Sequence, residues 1–242
     1  MPEISLPTKL TQDQIKTIVD QILLQVNQKN TSRIKRSLTF TADGVWNVPN
    51  GVTEIYVTGG GGGGSGSSPN STSSANTKGN DGTDTILTNG VNTLRLKGGK
   101  GGEVAGAAPF SSTETGGNAG GNGGQAGRVA TVSIFNNNSY VSGGDGGNSG
   151  PYFGGRYSSF QGASASKNGN YCSGGAGGQA FSQSFYSNGG GGAEFVYNKT
   201  MRVTPLSELT ITIGKGGESV VGTAGYHSGS GGNGIVTIEW WE

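Results

Sequence analysis

One histidine, His227, and one cysteine, Cys172, are the whole supply of the side chains that most catalytic and metal chemistry needs. A serine–histidine–acid relay would have to run through His227, and a multi-histidine metal centre cannot be assembled. A lone cysteine gives neither an intramolecular disulfide nor a cysteine zinc cluster. The carboxylates Asp81, Asp84, Glu103, Glu114, Asp145, Glu194, Glu208 and Glu218 are scattered. A glycosidase pair among them would have to be brought together by the fold.

Glycine-rich loops can also hold ions and phosphates. Residues 143–148, Gly-Gly-Asp-Gly-Gly-Asn, match part of a calcium-binding nonapeptide repeat, but only once and without its recurring apolar positions. The glycine run at 59–64 is followed by no helix, and no Gly-Lys-Ser/Thr occurs, so a phosphate cradle is not expected. The sequence therefore predicts a protein that is not an enzyme and has no cofactor and no metal. What remains is recognition. Residues 151–160, Pro-Tyr-Phe-Gly-Gly-Arg-Tyr-Ser-Ser-Phe, combine tyrosine, arginine, serine and glycine, types that suit adaptable contact surfaces. Tyr152, Phe153, Arg156, Tyr157 and Phe160, with Tyr171, Phe185, Tyr186 and Tyr226, are the candidate binding residues. The competing reading is that each aromatic covers a core poor in aliphatic side chains.

Three zones must position these residues. The first, about 9–29, is helical: Thr11 and Gln14 have capping-box spacing, and Ile15, Ile18, Val19, Ile22 and Val26 recur every three or four residues. One helix cannot bury its own stripe. It must dock on a partner, on copies of itself (a homotrimer among the options) or on its own domain. Arg33, Lys35 and Arg36 then read as a solvated linker. Residues 1–37 form this attachment or oligomerisation segment, and 38–242 form a glycine-rich domain.

The second zone is β and lies at both ends of that domain. Residues 38–42 and 45–48 flank Asp43-Gly44, a hairpin signal. Pro49-Asn50-Gly51 reads as a turn, and 52–58 alternates. Near the end, Leu209, Ile211 and Ile213 alternate with threonine, as Val236, Ile238 and Trp240 alternate with Thr237, Glu239 and Trp241. The first and last strands are expected to pair, in a small β-sandwich-like unit that brackets the rest.

The third zone, about 59–234, holds most of the 50 glycines, where average usage would give roughly 17 in a chain of this length. Only 31% of residues are hydrophobic, so a conventional large core is excluded. The recurring unit is Gly-Gly-X, and a period of three matches an extended helix with three residues per turn. Collagen is excluded by seven prolines and no strict repeat. A flexible linker is opposed by the ordered-looking segments at 84–87, 91–96, 129–135 and 195–203, and by aromatic interruptions. The fold class expected is mainly β and irregular: a short N-terminal helix, a small β unit, and a bundle of glycine helices whose backbones bond laterally.

Residues 40–57, Phe-Thr-Ala-Asp-Gly-Val-Trp-Asn-Val-Pro-Asn-Gly-Val-Thr-Glu-Ile-Tyr-Val, followed by the glycines at 59–64, resemble the opening of glycine-rich domains in phage tail proteins. Residues 209–217 and 231–240 match the same pattern, so the resemblance covers roughly 38–242. The wider likeness is to distal tail-fibre adhesins of T-even-like bacteriophages, whose glycine motifs pack as polyglycine-II helices with receptor-contacting loops at one end. Those adhesins carry a large attachment domain where this chain has a short helix. The resemblance implies a virion protein, a tail-fibre tip that binds a bacterial surface polysaccharide or outer protein and joins other tail-fibre proteins. The alternatives are a structural fibre or tail component that does not adhere, and an ice-binding protein, which would require flat alanine or threonine faces. A formal charge of +1 without charged tails points to neither nucleic acid nor an anionic membrane as partner. No apolar run is long enough for membrane insertion, and no secretion signal opens the chain. Release by host lysis into the extracellular space fits a virus particle.

Overall fold

The structure is a computed structural model that describes residues 11–29, 33–68, 77–103, 117–128, 131–135, 138–142, 144–156, 167–178, 187–222 and 227–242. Helix α1 spans Gln12–Lys29. Its first turn is closed reciprocally: Thr11 N–H donates to Gln14 Oε1 at 3.0 Å, and Gln14 N–H donates to Thr11 Oγ1 at 3.4 Å. The stripe is bare, with Ile15, Ile18, Val19 and Ile22 each between 44% and 53% exposed. The Val26 side chain lies outside the described residues.

Two four-stranded antiparallel sheets face each other. One has the order β1 (Lys35–Phe40), β10 (Ile235–Trp241), β3 (Glu54–Gly60), β8 (Phe195–Arg202). The other runs β2 (Gly44–Asn47), β9 (Glu208–Thr212), β4 (Thr85–Thr88), β5 (Thr93–Leu96). The first and last strands pair as expected, Lys35 opposite Trp241 and Phe40 opposite Val236. Period-two alternation sends Ile55, Val57, Val236 and Ile238 inward from one sheet, against Leu87, Leu209 and Ile211 from the other. Trp46 and Trp240 close the layer with ring centroids 4.8 Å apart. Turn chemistry also holds in two places. Gly51 has φ 82°, with Val52 N–H on Pro49 O at 3.2 Å, and Gly90 has φ 82° in the loop joining β4 to β5.

The hairpin at Asp43-Gly44 does not form. β1 and β2 belong to different sheets, and 41–43 carries the chain across the sandwich. A two-residue hairpin of this type needs positive φ at both central residues, and neither Asp43 nor Gly44 has it. Asp43 instead accepts the Ile213 N–H at 2.7 Å, tying the crossover to the opposite sheet.

Beside the sandwich stands the glycine bundle. Along 61–68, successive N–H groups turn through three neighbours. Gly61, Gly64 and Ser67 donate to Glu194, Gly191 and Asn188; Gly62, Ser65 and Ser68 to Thr83, Asn80 and Thr77; Gly63 and Gly66 to Gly232 and Gly229. The carbonyls turn through three more: Gly62 and Ser65 accept from Gly99 and Gly102, Gly63 from Gly217, Gly64 and Ser67 from Gly175 and Gly178. The next bond to the same neighbour always comes three residues on, as a helix with three residues per turn requires. Runs 172–178 and 187–194 bond to 61–68 and to each other, through Gly190 to Gly175 and Ala193 to Cys172. These three form a buried inner triangle ringed by the other runs.

Glycine is needed there for space rather than for torsion. A Cβ on Gly63, Gly174 or Gly190 would fall well inside 3.0 Å of a backbone carbonyl of Ser173, Gly190 or Gly64, while none of the three has positive φ. Where a side chain does occur it joins the lattice: Ser65 Oγ accepts Asn80 N–H, and Ser67 Oγ accepts Asn188 N–H, both at 2.8 Å. Thr85 stitches bundle to sandwich, donating to Gly60 O and accepting from Gly214 N–H, each at 2.9 Å.

Candidate functional site

The lateral bonds fix which end of each run lies next to the sandwich. Gly61, Thr83, Lys97, Glu194, Gly214 and Gly234 adjoin strands. At the opposite end, Ser68 and Thr77 exchange N–H bonds at 2.9 Å, Gly178 donates to Ser67, Gly117 to Gly189, Gly144 to Ser187, and Gly222 to Ser68 Oγ. Every long connection between runs therefore starts and finishes at that end. The chain departs after 68, 103, 156, 178 and 222 and returns at 77, 117, 167, 187 and 227. A sixth connection, between 128 and 144, contains the antiparallel hairpin β6 (Thr131–Phe135) and β7 (Asn138–Ser142). Beside the sandwich the connections are tight turns, at 121–124, 149–152 and 170–173.

The candidate residues divide between the two ends. Tyr157, Phe160, Phe185, Tyr186 and Tyr226 lie outside the described residues, in connections whose stems are all at the open end. Tyr152 and Tyr171 sit in the tight turns near the sandwich. Tyr152 is half-buried, edge-on to Phe195 at 5.8 Å and to Tyr171 at 5.7 Å, over Cys172 and Ala193. For Tyr152 that is packing, in a cluster that plugs the seam between the two regions, whereas Tyr171 stays 43% exposed. Burial pushes the Tyr152 hydroxyl above its ordinary range, and burial pushes the Cys172 thiol up to about 12. Phe153 (60% exposed) and Arg156 face solvent on the flank of the bundle.

Asp81 and Asp84 do structural work. Asp81 spans runs, accepting Gly101 N–H and Lys100 Nζ at 2.8 Å each. Burial opposes its ionisation, but the Lys100 and Gly101 bonds and the Lys100 and Lys78 charges outweigh it, and its carboxyl is held below the usual range. Asp84 ties Arg95 to Gly98 N–H in the same manner. Among the described residues no group of three His, Cys, Asp or Glu side chains could hold a metal ion, and no helix is long and apolar enough to cross a membrane.

Sequence reasoning missed Arg128, Lys167 and Asn168, which approach Arg156 and Phe153 only through the lattice. Isolated in sequence between glycine runs, they carried no signal. Compared with family models and with curated proteins, the chain matches none.

Proposed function

We propose that this chain is the tip, or receptor-binding protein, of a bacteriophage tail fibre: a virion adhesin that recognises a bacterial surface polysaccharide or outer protein without chemistry. The observation that carries this reading is polarity. The chain enters the domain at Lys35, paired with Trp241 at the edge of the sandwich farthest from the bundle. All six long connections depart from the other pole. An entry segment with a bare apolar stripe at one pole, and variable-composition connections at the other, suits attachment at the first and recognition at the second.

The bundle is the spacer between them. Eight residues at about 3.1 Å each span roughly 25 Å. Three inner runs with lateral bonds in all directions hold the stems of the connections in fixed relation. Rigid stems reduce the ordering cost that loops otherwise incur on binding. The helix stripe serves docking on other tail-fibre proteins or on copies of this chain.

The test is direct. Fluorescently labelled protein is applied to a panel of bacteria, and its ability to block adsorption of a phage to decorated strains is measured. Decoration confined to particular strains, with blocked adsorption, supports the adhesin. Decoration of no strain, together with capture of other fibre subunits, would leave a structural fibre component.

A further inference from the structure

Among the described residues, one position on the flank of the bundle has no neighbouring run. Runs 122–128 and 153–156 both bond to run 144–149, through Arg128 to Asp145 O, Gln125 to Asn148 O and Gly146 to Gly155 O. Between them, among the described residues, lies a groove of about 250 Å³ lined by Gln125, Arg128, Asp145, Asn148 and Arg156. It shares Gly154 and Arg156 with a second hollow of about 310 Å³, lined also by Phe153, Lys167, Asn168 and Asn170.

Three cations and one carboxylate face this double groove: Arg128, Arg156 and Lys167 against Asp145, a balance of 3 − 1 = +2, whereas the whole chain carries +1. Arg128 meets Asp145 only at 4.0 Å and keeps its side chain 81% exposed. Arg156 and Lys167 have no carboxylate partner among the described residues. Arginine forks match carboxylate and phosphate oxygens in a bidentate manner. The amides of Gln125, Asn148 and Asn168 offer donors and acceptors to hydroxyls. Phe153 adds one exposed aromatic face to an otherwise polar wall.

We propose that this groove binds an anionic polysaccharide, a glycan bearing carboxylate or phosphate groups, with Arg128, Arg156 and Lys167 on the charges and Phe153 under a sugar ring. The choice of a glycan over another polyanion rests on the adhesin reading. Arg128, Arg156 and Lys167 are stem residues of connections at the open end, so the site would hold the polymer along the flank of the bundle below them.

The experiment measures binding of the full chain to alginate (carboxylate), a phosphomannan (phosphate), neutral dextran and a single-stranded oligothymidylate. The same set is run on the variants Arg128→Ala/Arg156→Ala/Lys167→Ala and Phe153→Ala, with thermal melts as the check on folding. All four positions are exposed, so unchanged melts are expected. Binding to alginate or phosphomannan but not dextran, about tenfold or more weaker in the triple variant and weakened by salt, supports the site. The stronger of the two acidic polymers identifies the group recognised. Binding of neither polymer, undiminished binding by the triple variant, or equal binding of the oligonucleotide overturns it. Decoration of cells is read separately. Decoration without polymer binding overturns the groove and leaves the adhesin. Polymer binding lost in the triple variant upholds the groove even where no strain is decorated, an outcome that would sink the adhesin alone.

Discussion

In the sandwich, Leu209 and Ile238 are buried for what their side chains touch; in the bundle, Gly63 and Gly190 are buried for what they lack. The first region folds on apolar area removed from water, roughly 25 cal/mol per Å². The second removes almost no apolar side chain from water and is held by backbone bonds in which residues such as Gly63 and Gly190 donate to one neighbour and accept from another. A net contribution near 1 kcal/mol per bond must offset the large ordering cost of glycine, so such a lattice forms only when many bonds close together. The two regions should therefore fail in different ways.

The largest effect is expected where a methyl group has nowhere to go. Gly63→Ala places a Cβ against the Ser173 carbonyl inside the inner triangle. It should cost about 4 kcal/mol or prevent folding, read by chemical denaturation. Gly51→Ala, at φ 82° with nothing within 4 Å, should cost only about 1 kcal/mol. Equal losses at both sites would remove the distinction between a packing glycine and a torsional one.

In the sandwich, Leu209→Ala should cost about 3 kcal/mol, a cavity loss that the surrounding side chains partly relax. At the seam, Tyr152→Ser should cost about 1–2 kcal/mol, because its ring packs on Phe195. A Tyr152→Ser protein of unchanged stability would return this residue to the recognition surface.

Cys172 sharpens the comparison further, since it lies at the seam and is fully buried. With the thiol pushed up to about 12, only about 10⁻⁴ of it is ionised at pH 8, and labelling should proceed only as fast as the seam opens. A raised folded-state pKa means that the fold holds the proton more tightly than the unfolded chain does. This stabilisation is complete below the ordinary thiol value near 9 and is lost as pH rises from there toward about 12. Cys172→Ala should show a smaller alkaline loss of stability than the wild-type chain. The smallest effect belongs to Ile18→Asp/Ile22→Asp. These exposed positions should change stability by under about 0.5 kcal/mol while abolishing any assembly through the helix.

Sequence carried the sandwich better than the bundle. Alternation placed Val236, Ile238 and Trp240 inward, Thr11 and Gln14 marked the helix start, and the three-residue glycine period corresponded to the observed hydrogen-bond period. It did not reveal which runs are neighbours. Pairing there is between backbones, and a Gly-Gly-X run presents nearly the same backbone whatever its partner. Asp43-Gly44 misled because a turn dipeptide specifies a hairpin only if its torsions are adopted, and the facing sheet captured Asp43 instead. The candidate aromatics shared a composition but not a location. Only the lattice separates Tyr152 and Tyr171, beside the sandwich, from those whose stems lie at the open end.

That separation is also the most direct handle on function. The measurement is decoration of susceptible cells by a variant with Tyr157, Phe160, Phe185, Tyr186 and Tyr226 all changed to serine, compared with the wild-type chain at matched thermal stability. Loss of decoration by a variant that melts like the wild type is the result expected of a scaffold that recognises its receptor at the open pole. Full decoration by that variant, retained when Arg128, Arg156 and Lys167 are also changed to alanine, would contradict the account.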